Sequence, residues 1–148
     1  MIAIIAEKPS VGMDIARVVG ADTRNDGYCS GNGYMVTWAL GHLVSLAMPD
    51  TYGYTKTAAE NLPMLPDPFR LVSRQMRTDR GMVTDIAASK QLKVIENVFN
   101  RCDSTIVATD CAREGELIFR WIYDFLGCTK PFRRLWISSL TDEAIRKG

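Results

Sequence analysis

Hydrophobic positions at the start of the chain follow first a strand-like and then a helical spacing. The run Ile2–Ala6 is entirely apolar, and so short a run is typical of a central parallel strand buried on both faces. Pro9 ends the strand, and Ser10 is placed to cap a helix. Apolar residues then recur at helical spacing before Gly20, which can end the helix: Val11, Ile15, Val18 and Val19. The segment predicts a strand followed by a helix.

The same alternation continues along the chain. Three further apolar runs predict strands over residues 34–40, 105–109 and 132–139. A helix is predicted from Thr84, with its apolar face on Ala88, Leu92, Ile95, Val98 and Phe99. Another, ended by Gly127, is predicted over residues 114–126, with an inward face made by Leu117, Ile118, Trp121, Ile122 and Phe125. Strands that alternate with helices indicate an α/β domain, with a mainly parallel sheet flanked by helices.

Turn-forming residues mark the segments between these elements. Residues 21–33 are turn-rich, and residues 49–69 are predicted to be an irregular surface excursion because they contain Pro49, Pro63, Pro66 and Pro68. A short extended piece is predicted near residues 71–73. Thr141 is placed to cap a last helix, with Asp142 and Glu143 in its first turn. We expect residues 1–140 to form one domain and residues 141–148 to begin the next domain of a longer polypeptide.

Composition limits the classes of protein to which the chain can belong. The 148 residues are 47% hydrophobic, which suits one globular domain. With 18 basic and 17 acidic residues the formal charge is +1, so a phosphate partner must be held by a local patch or a bridging cation. Four scattered cysteines predict neither a zinc site nor a disulfide framework and are typical of a reducing cytoplasm. No apolar run approaches the roughly 18 residues of a membrane span.

Acidic residues directly follow two of the predicted strands. Glu7 comes after the first strand, and Asp110 comes after the strand at residues 105–109. Because the carboxyl ends of parallel strands meet at one edge, the two carboxylates lie together if their strands are neighbours. Crowded carboxylates repel unless a cation lies among them, and the oxygen-only set of Glu7, Asp110 and Glu114 favours Mg²⁺. The alternative is that the acids around residue 114 only cap a helix.

Basic residues and a glycine are interleaved with these acids. Lys8 and Arg113 can neutralise charge that develops on a phosphate, and Arg113 can also bind a phosphate bidentately. Gly115 lets the backbone approach closely at the start of a helix, where unpaired N–H groups favour anions. Together with the acids, these residues are what a metal-assisted phosphoryl-transfer site requires.

Several stretches of the sequence resemble a known family. "IAEKPS", "VTWALGHLVSLAMPDTY" and "KQLKVIENVF" followed by "ATDCAREGELIF" are similar, in this order, to the TOPRIM domain of type IA DNA topoisomerases, and most to the bacterial topoisomerase III group. The resemblance runs from Ile2 to about Ile145. It implies a Rossmann-like sheet flanked by helices and a DNA partner, especially single-stranded DNA. It also implies ATP-independent, Mg²⁺-assisted breakage and rejoining of one DNA strand through a 5′-phosphotyrosine.

The resemblance also implies roles for individual positions. Glu7 matches a glutamate that is a general acid or base and a metal ligand, and Lys8 matches a lysine that stabilises the scissile phosphate. Asp110 and Glu114 match the first and last acids of a D-x-D-x-E pattern and are expected to be catalytic metal ligands. His42, within "GHL", matches a histidine for which a positional or DNA-facing role is expected; a hydrogen-bonded structural role is the alternative.

The sequence departs from the family pattern at two points. Ala112 stands where the pattern has its second aspartate, so we expect a weaker metal site or a single Mg²⁺ held by Glu7 and Asp110 at millimolar-range affinity. None of the five tyrosines lies in a context that resembles the family's nucleophile, which belongs to a downstream domain. We therefore expect this chain, by itself, not to cleave or relax DNA.

Two other functions remain open at this point. A TOPRIM domain of a primase or nuclease needs the acids but no tyrosine. A non-enzymatic receiver module would instead be phosphorylated on an aspartate at a strand end, here Asp110. The stretches "VTWALGHL" and "WISSLTDEAI" favour the topoisomerase over the primase or nuclease, and the late position of Asp110 argues against the receiver.

Arginines and tryptophans outside the acidic motif allow further interpretations. Four arginines form either a phosphate-tracking stripe or a solvated loop: Arg70, Arg74, Arg77 and Arg80. The three tryptophans lie inside apolar elements, and we interpret them as core residues rather than as stacking platforms for bases: Trp38, Trp121 and Trp136.

Overall fold

The apolar run at the start of the chain forms strand β1 (Ile2–Ala6), and four of its five residues are buried. The computed structural model describes residues 1–54, 59–79 and 81–148. These residues contain nine more strands: β2 (Thr23–Asn25), β3 (Tyr28–Gly31), β4 (Tyr34–Trp38), β5 (Val44–Leu46), β6 (Leu71–Ser73), β7 (Gln75–Thr78), β8 (Gly81–Thr84), β9 (Ser104–Ala108) and β10 (Phe132–Arg134). They also contain four α-helices: α1 (Pro9–Val19), α2 (Ile86–Arg101), α3 (Arg113–Phe125) and α4 (Asp142–Lys147).

Strand β1 lies inside a six-stranded sheet with the order β10–β9–β1–β4–β3–β2. It pairs in parallel with β4 on one side and with β9 on the other, and β10 extends the parallel part beyond β9. The register places Ala6 beside both Trp38 and Ala108, so the three strands end at the same level. The predicted α/β class with a mainly parallel sheet is confirmed.

Helices cover both faces of this sheet and divide the core into two clusters. Ile95 of α2 and Phe119 of α3 belong to one cluster, and Ile15 of α1 belongs to the other. The predicted apolar face of α2 is confirmed, because all of its residues are buried: Ala88, Leu92, Ile95, Val98 and Phe99. The prediction for α3 was wrong at two positions. Phe119, which it left out, is fully buried, whereas Phe125 is 38% exposed.

Helix α1 begins earlier than the capping signal predicts. Pro9 is its first residue and Lys8 is its N-cap, without a side-chain cap hydrogen bond. Proline suits this position because its missing N–H would be unpaired there and its φ is already helical. Ser10 therefore lies within the first turn, and its prediction as the cap was wrong. The Thr141 cap of α4 is confirmed, since its hydroxyl accepts from the Ala144 N–H at 3.3 Å.

Strand β10 is shorter than the pattern predicts, and this changes the position of a tryptophan. The strand was predicted to reach residue 139 but ends at Arg134. The N–H of Leu135 still donates to a carbonyl of β9 at 2.9 Å, and the next residue, Trp136, is 69% exposed. Its interpretation as a core residue was wrong. Trp38 and Trp121, by contrast, pack against the two core clusters.

Two antiparallel hairpins were not predicted. Strands β2 and β3 extend the edge of the main sheet, where β3 pairs with β4, within the residues predicted to be turn-rich. Strands β7 and β8 form a separate two-stranded ribbon. Residues 49–69 contain no strand in the part that is described, as their prolines predict. Strands β5 and β6, on either side of these residues, pair antiparallel. A hydrogen bond from Ala47 N–H to the Arg70 carbonyl at 2.8 Å extends this pairing, so the two ends of the irregular segment are held together as a two-stranded neck.

Arg74 is engaged within the fold rather than in an exposed basic stripe. Its Nη2 lies 2.6 Å from Oδ2 of Asp85, and its Nη1 donates to two carbonyls of the loop after β4 at 2.9 and 3.0 Å. Oδ1 of Asp85 accepts from N–H groups in the first turn of α2 and so caps this helix. The interpretation of Arg74 as part of a stripe or a solvated loop was therefore wrong. Arg70 and Arg77 are exposed, and Arg80 lies outside the described residues.

We expect Asp85→Asn to lower stability at neutral pH but not at strongly acidic pH. Hydrogen bonding from Arg74, and then from the α2 backbone, holds the pKa of Asp85 below its usual value. The ionised carboxylate therefore contributes stability above the unfolded-state pKa of about 3.9, and this stability is lost as the pH falls through the lower folded-state pKa. Urea midpoints of the two proteins should converge as the pH is lowered. Asp14→Asn, on the exposed side of α1, is the control; a gap that persists at low pH would contradict the expectation.

Candidate metal centre

The carboxyl ends of β1 and β9 hold the two acids that follow these strands. Because Ala6 and Ala108 are paired in register, Glu7 and Asp110 lie at the same edge of the sheet. Oε2 of Glu7 accepts a long hydrogen bond from the backbone N–H of Asp110 at 3.4 Å. Both residues line one cleft of about 270 Å³. The expected proximity of these two acids is confirmed.

Strand ends and the start of α1 form the walls of this cleft. Lys8 lines it on the side of β1, and the hydroxyl-bearing Ser138 and Ser139 line it on the side of β10. Cys111 also borders the cleft, but its thiol donates to the carbonyl of Leu135 at 3.5 Å. Carboxylates, hydroxyls and an amine are the groups that bind a hard cation and the oxygens of a phosphate.

Gly115 brings the first turn of α3 against the backbone of the acidic turn. A Cβ built on this residue would lie 2.1 Å from the carbonyl oxygen of Asp110 and 2.7 Å from its backbone nitrogen. Only glycine allows this approach without moving one of the two segments. The sequence predicted that Gly115 lets the backbone approach an anion; the close approach in the structure is to the backbone of Asp110.

Glu114 does not line the Glu7–Asp110 cleft, and its carboxylate contacts His42. Nε2 of His42 lies 3.2 Å from Oε2 of Glu114, and Arg113 donates to the other oxygen at 3.2 Å. Hydrogen bonding from His42, and then from Arg113, holds the pKa of Glu114 below its usual range. The His42 ring also packs against Trp121, with 5.7 Å between the ring centroids. The sequence prediction named Glu114 and His42 but not their contact.

Two arginines support the site through contacts that the sequence did not predict: Arg134, which was not singled out, and Arg74, which was interpreted otherwise. Arg134, at the end of β10, donates to the carbonyl of Thr109 at 2.9 Å and to that of Asp110 at 3.4 Å, and it pairs with Glu116. Its side chain is only 12% exposed. Arg74, after β6, donates to the carbonyl of His42 at 3.0 Å. Both arginines were visible in the sequence, but nothing in their local pattern indicated which carbonyls they bind.

Ala112 does not line the cleft. It is the N-cap of α3, and its methyl side chain has no atom that could accept a cap hydrogen bond. Its N–H instead donates to Oδ1 of Asp110 at 3.4 Å. The residue borders a separate groove, with Arg113 and Trp136 among its other walls. The position at which the family pattern has an aspartate therefore faces this groove in the present chain.

The donor set of the cleft fits a hard divalent ion. Mg²⁺ in proteins takes one or two carboxylates and keeps several waters, and the cleft offers Glu7 and Asp110. Residues 1–54, 59–79 and 81–148 contain no group of three or more His, Cys, Asp or Glu side chains that could hold a metal ion together. The arrangement is therefore that of a two-carboxylate site that leaves coordination positions for waters or phosphate oxygens.

A mainly parallel sheet with carboxylates at its carboxyl edge places the chain among α/β domains that bind ligands at this edge, and the acids suit a divalent ion. Comparison with known families agrees with this class, because the family described as "Toprim domain" matches residues 2–140. The chain belongs to the Toprim domain family. Toprim domains bind a divalent metal ion. The alternative of a receiver module was therefore wrong.

Similar proteins share one name. The chain is 47% identical over 150 residues, or 99% of its length, to "DNA topoisomerase 3" of Shouchella clausii (strain KSM-K16). Proteins of the same name from Bacillus anthracis and Bacillus licheniformis are 47% and 44% identical over 149 residues, or 98% of the chain. The chain spans 19% of the length of each of these relatives. Among the described residues, no helix is long and apolar enough to span a membrane.

Proposed function

We propose that this chain is the metal-binding part of a type IA DNA topoisomerase that breaks and rejoins one DNA strand without ATP. The strand break passes through a 5′-phosphotyrosine, whose tyrosine is supplied by another domain of a longer polypeptide. Membership of the Toprim family and the names of the relatives support this reaction over that of a primase or nuclease. The observation that carries the proposal is the shared cleft of Glu7 and Asp110.

The metal in this proposal is Mg²⁺, held by Glu7 and Asp110. When bound, the ion supplies positive charge beside the phosphodiester bond that is broken and re-formed. Glu114 is the further acid proposed for this ion; to bind it, its carboxylate must turn from the 3.2 Å contact with His42 toward the cleft. The cleft offers two carboxylates and Ala112 supplies no further acid, so one ion is held, with an affinity in the millimolar range.

Side chains in and near the cleft bind the DNA phosphates and transfer the proton. Lys8 neutralises oxygens of the scissile phosphate, because its amine lines the same cleft as the acids. Arg113, with a side chain that is 92% exposed, binds a neighbouring phosphate of the strand. Glu7 is the general acid when the strand breaks and the general base when it rejoins. His42 lies beside the DNA as well as beside Glu114.

We also propose the binding partners, the domain boundaries and the cellular location of the protein. The substrate is DNA, bound as a single strand, and the other partners are downstream domains of the same polypeptide. Residues 1–140 form the Toprim domain, and residues 141–148 begin the following domain. The parent protein works in the cytoplasm, which agrees with four cysteines that are free thiols: Cys29, Cys102, Cys111 and Cys128.

Titration of the chain with Mg²⁺ by calorimetry tests the metal site. We expect one ion with millimolar-range affinity. Glu7→Gln and Asp110→Asn should each weaken binding about tenfold or more, because each replaces one of two charged ligands by a neutral amide and so costs at least about 1.4 kcal/mol.

Asp103→Asn is the matched control for these variants. Asp103 precedes β9, at the opposite edge of the sheet, and is an exposed aspartate paired with the amino terminus at 2.6 Å. Its substitution should leave Mg²⁺ binding unchanged. Two tightly bound ions, or variants of Glu7 and Asp110 that bind Mg²⁺ like the wild type, would refute the proposed site.

A further inference from the structure

Trp136 differs from the other tryptophans in its exposure. Trp136 comes two residues after the end of β10, at the carboxyl edge of the sheet, and is 69% exposed. Trp38 and Trp121, in contrast, are partly buried against the core. Most of the large flat apolar ring of Trp136 is in water, where it contributes little burial energy to the fold of this chain. Its position at the edge that also carries the acidic cleft is one at which a ligand can reach it.

A groove of about 370 Å³ separates Trp136 from the turn at the start of α3. Its walls carry three arginines and one acid: Arg113, Arg120, Arg134 and Glu116. Arg120 and Arg134 both pair with Glu116, and Arg113 projects freely into solvent apart from its contact with Glu114. Three guanidinium groups against two carboxylates, Glu116 in the groove and Glu114 beside Arg113, leave the groove with one net positive charge. This charge complements a phosphate backbone rather than an acidic or apolar protein segment.

The groove adjoins the acidic cleft. Cys111 lines both, on opposite sides of the turn that carries Asp110. Ala112 also lines the groove. Its methyl group adds no charge there, whereas an acidic side chain at this position would repel a phosphate. A DNA strand with one phosphate at the cleft can therefore extend along the turn, with the next phosphate at Arg113 and a base in the groove.

We propose that Trp136 is a stacking platform for a base of the DNA strand held at the cleft. The proposal deepens the proposed function and rests on it for the choice of DNA as ligand. An indole ring beside guanidinium groups provides the two contacts that single-strand binding sites use, stacking on the base and neutralisation of the phosphate. Every base has a flat face on which an aromatic ring can stack. Trp136 should therefore favour a strand with bases over an abasic strand, without preferring one base to another.

The test compares a labelled oligothymidylate with an abasic deoxyribose-phosphate oligomer of the same length, by fluorescence anisotropy in EDTA. The wild-type chain should bind the base-bearing oligomer about 5- to 150-fold more tightly, the range expected for one stacked base. Trp136→Ala should lose this preference and keep its affinity for the abasic oligomer. Trp136→Phe should retain most of the preference, because its ring still stacks.

Phe125→Ala is the control, since Phe125 is a partly exposed aromatic residue at the other end of α3. It should change neither affinity. Equal binding of both oligomers by the wild type, no binding of either, or a preference that survives in Trp136→Ala would overturn the proposal. So would a second copy of the chain covering the ring, seen as a dimer that dissociates on Trp136→Ala. Because binding is measured without metal, these outcomes are independent of the Mg²⁺ titration that tests the proposed function.

Discussion

Gly115→Ala is expected to destabilise the fold by roughly 3 kcal/mol and to weaken Mg²⁺ binding at the same time. The added methyl carbon would lie 2.1 Å from the carbonyl oxygen of Asp110 and 2.7 Å from its carbonyl carbon. Backbone atoms cannot rotate away as the end of a side chain can, so either α3 or the acidic turn must shift. Any shift of the turn moves Asp110, one of the two acids of the cleft.

Urea unfolding and calorimetric titration with Mg²⁺ measure the two effects on the same variant. Gly53→Ala separates steric overlap from backbone conformation. Gly53 has φ of 87° and open space where a Cβ would be, so its substitution costs about 1 kcal/mol for the left-handed conformation alone. If Gly115→Ala is no less stable than Gly53→Ala and binds Mg²⁺ normally, the close packing of α3 on Asp110 does not hold the site.

Arg134→Ala is expected to cost about 2–3 kcal/mol, because its guanidinium is largely removed from water and joins three parts of the site. It donates to the carbonyls of Thr109 and Asp110 and pairs with Glu116. Its loss leaves the Thr109 carbonyl without this donor and Glu116 with Arg120 alone. The acidic turn then loses the contacts that Arg134 makes from β10, so Mg²⁺ affinity should fall together with stability.

Arg133→Ala is the matched control, one residue earlier on the same strand. Arg133 is exposed, and its side chain makes no hydrogen bond or ion pair within the described residues, although its backbone pairs with β9. Its substitution should change the free energy of unfolding by no more than about 0.5 kcal/mol. The two variants remove the same charge, so any difference between them reports the contacts of Arg134. Equal urea midpoints would show that those contacts contribute nothing measurable.

Elements with a strong hydrophobic pattern were predictable from the sequence. Strands β1 and β9 and the apolar face of α2 were predicted to within a residue or two, since burial on one or both faces imposes its period on the sequence. The short hairpins were not. Every residue of β2 and of β8 is exposed, so these strands carry no apolar alternation that could reveal them. They are held instead by backbone pairing with their neighbours.

The candidate site divides in a similar way. Its acids were predictable because each follows a buried strand, and strand ends in a parallel sheet meet at one edge. The contacts of His42 with Glu114 and of Arg134 with Thr109 join residues far apart in sequence, and no local pattern records them. Trp136 was misplaced for a related reason: its apolar neighbours predict a longer strand, but β10 stops before it.

The pairing of β5 with β6 separates the proline-containing excursion from the rest of the domain. Everything between these strands enters and leaves through one two-stranded neck, which the Arg70 carbonyl bond extends. Changing the length of a flexible loop costs only about 0.6 kcal/mol for each doubling. Because the paired strands β5 and β6 hold its two ends together, this segment is a natural position for a peptide tag, a fluorophore or an inserted module.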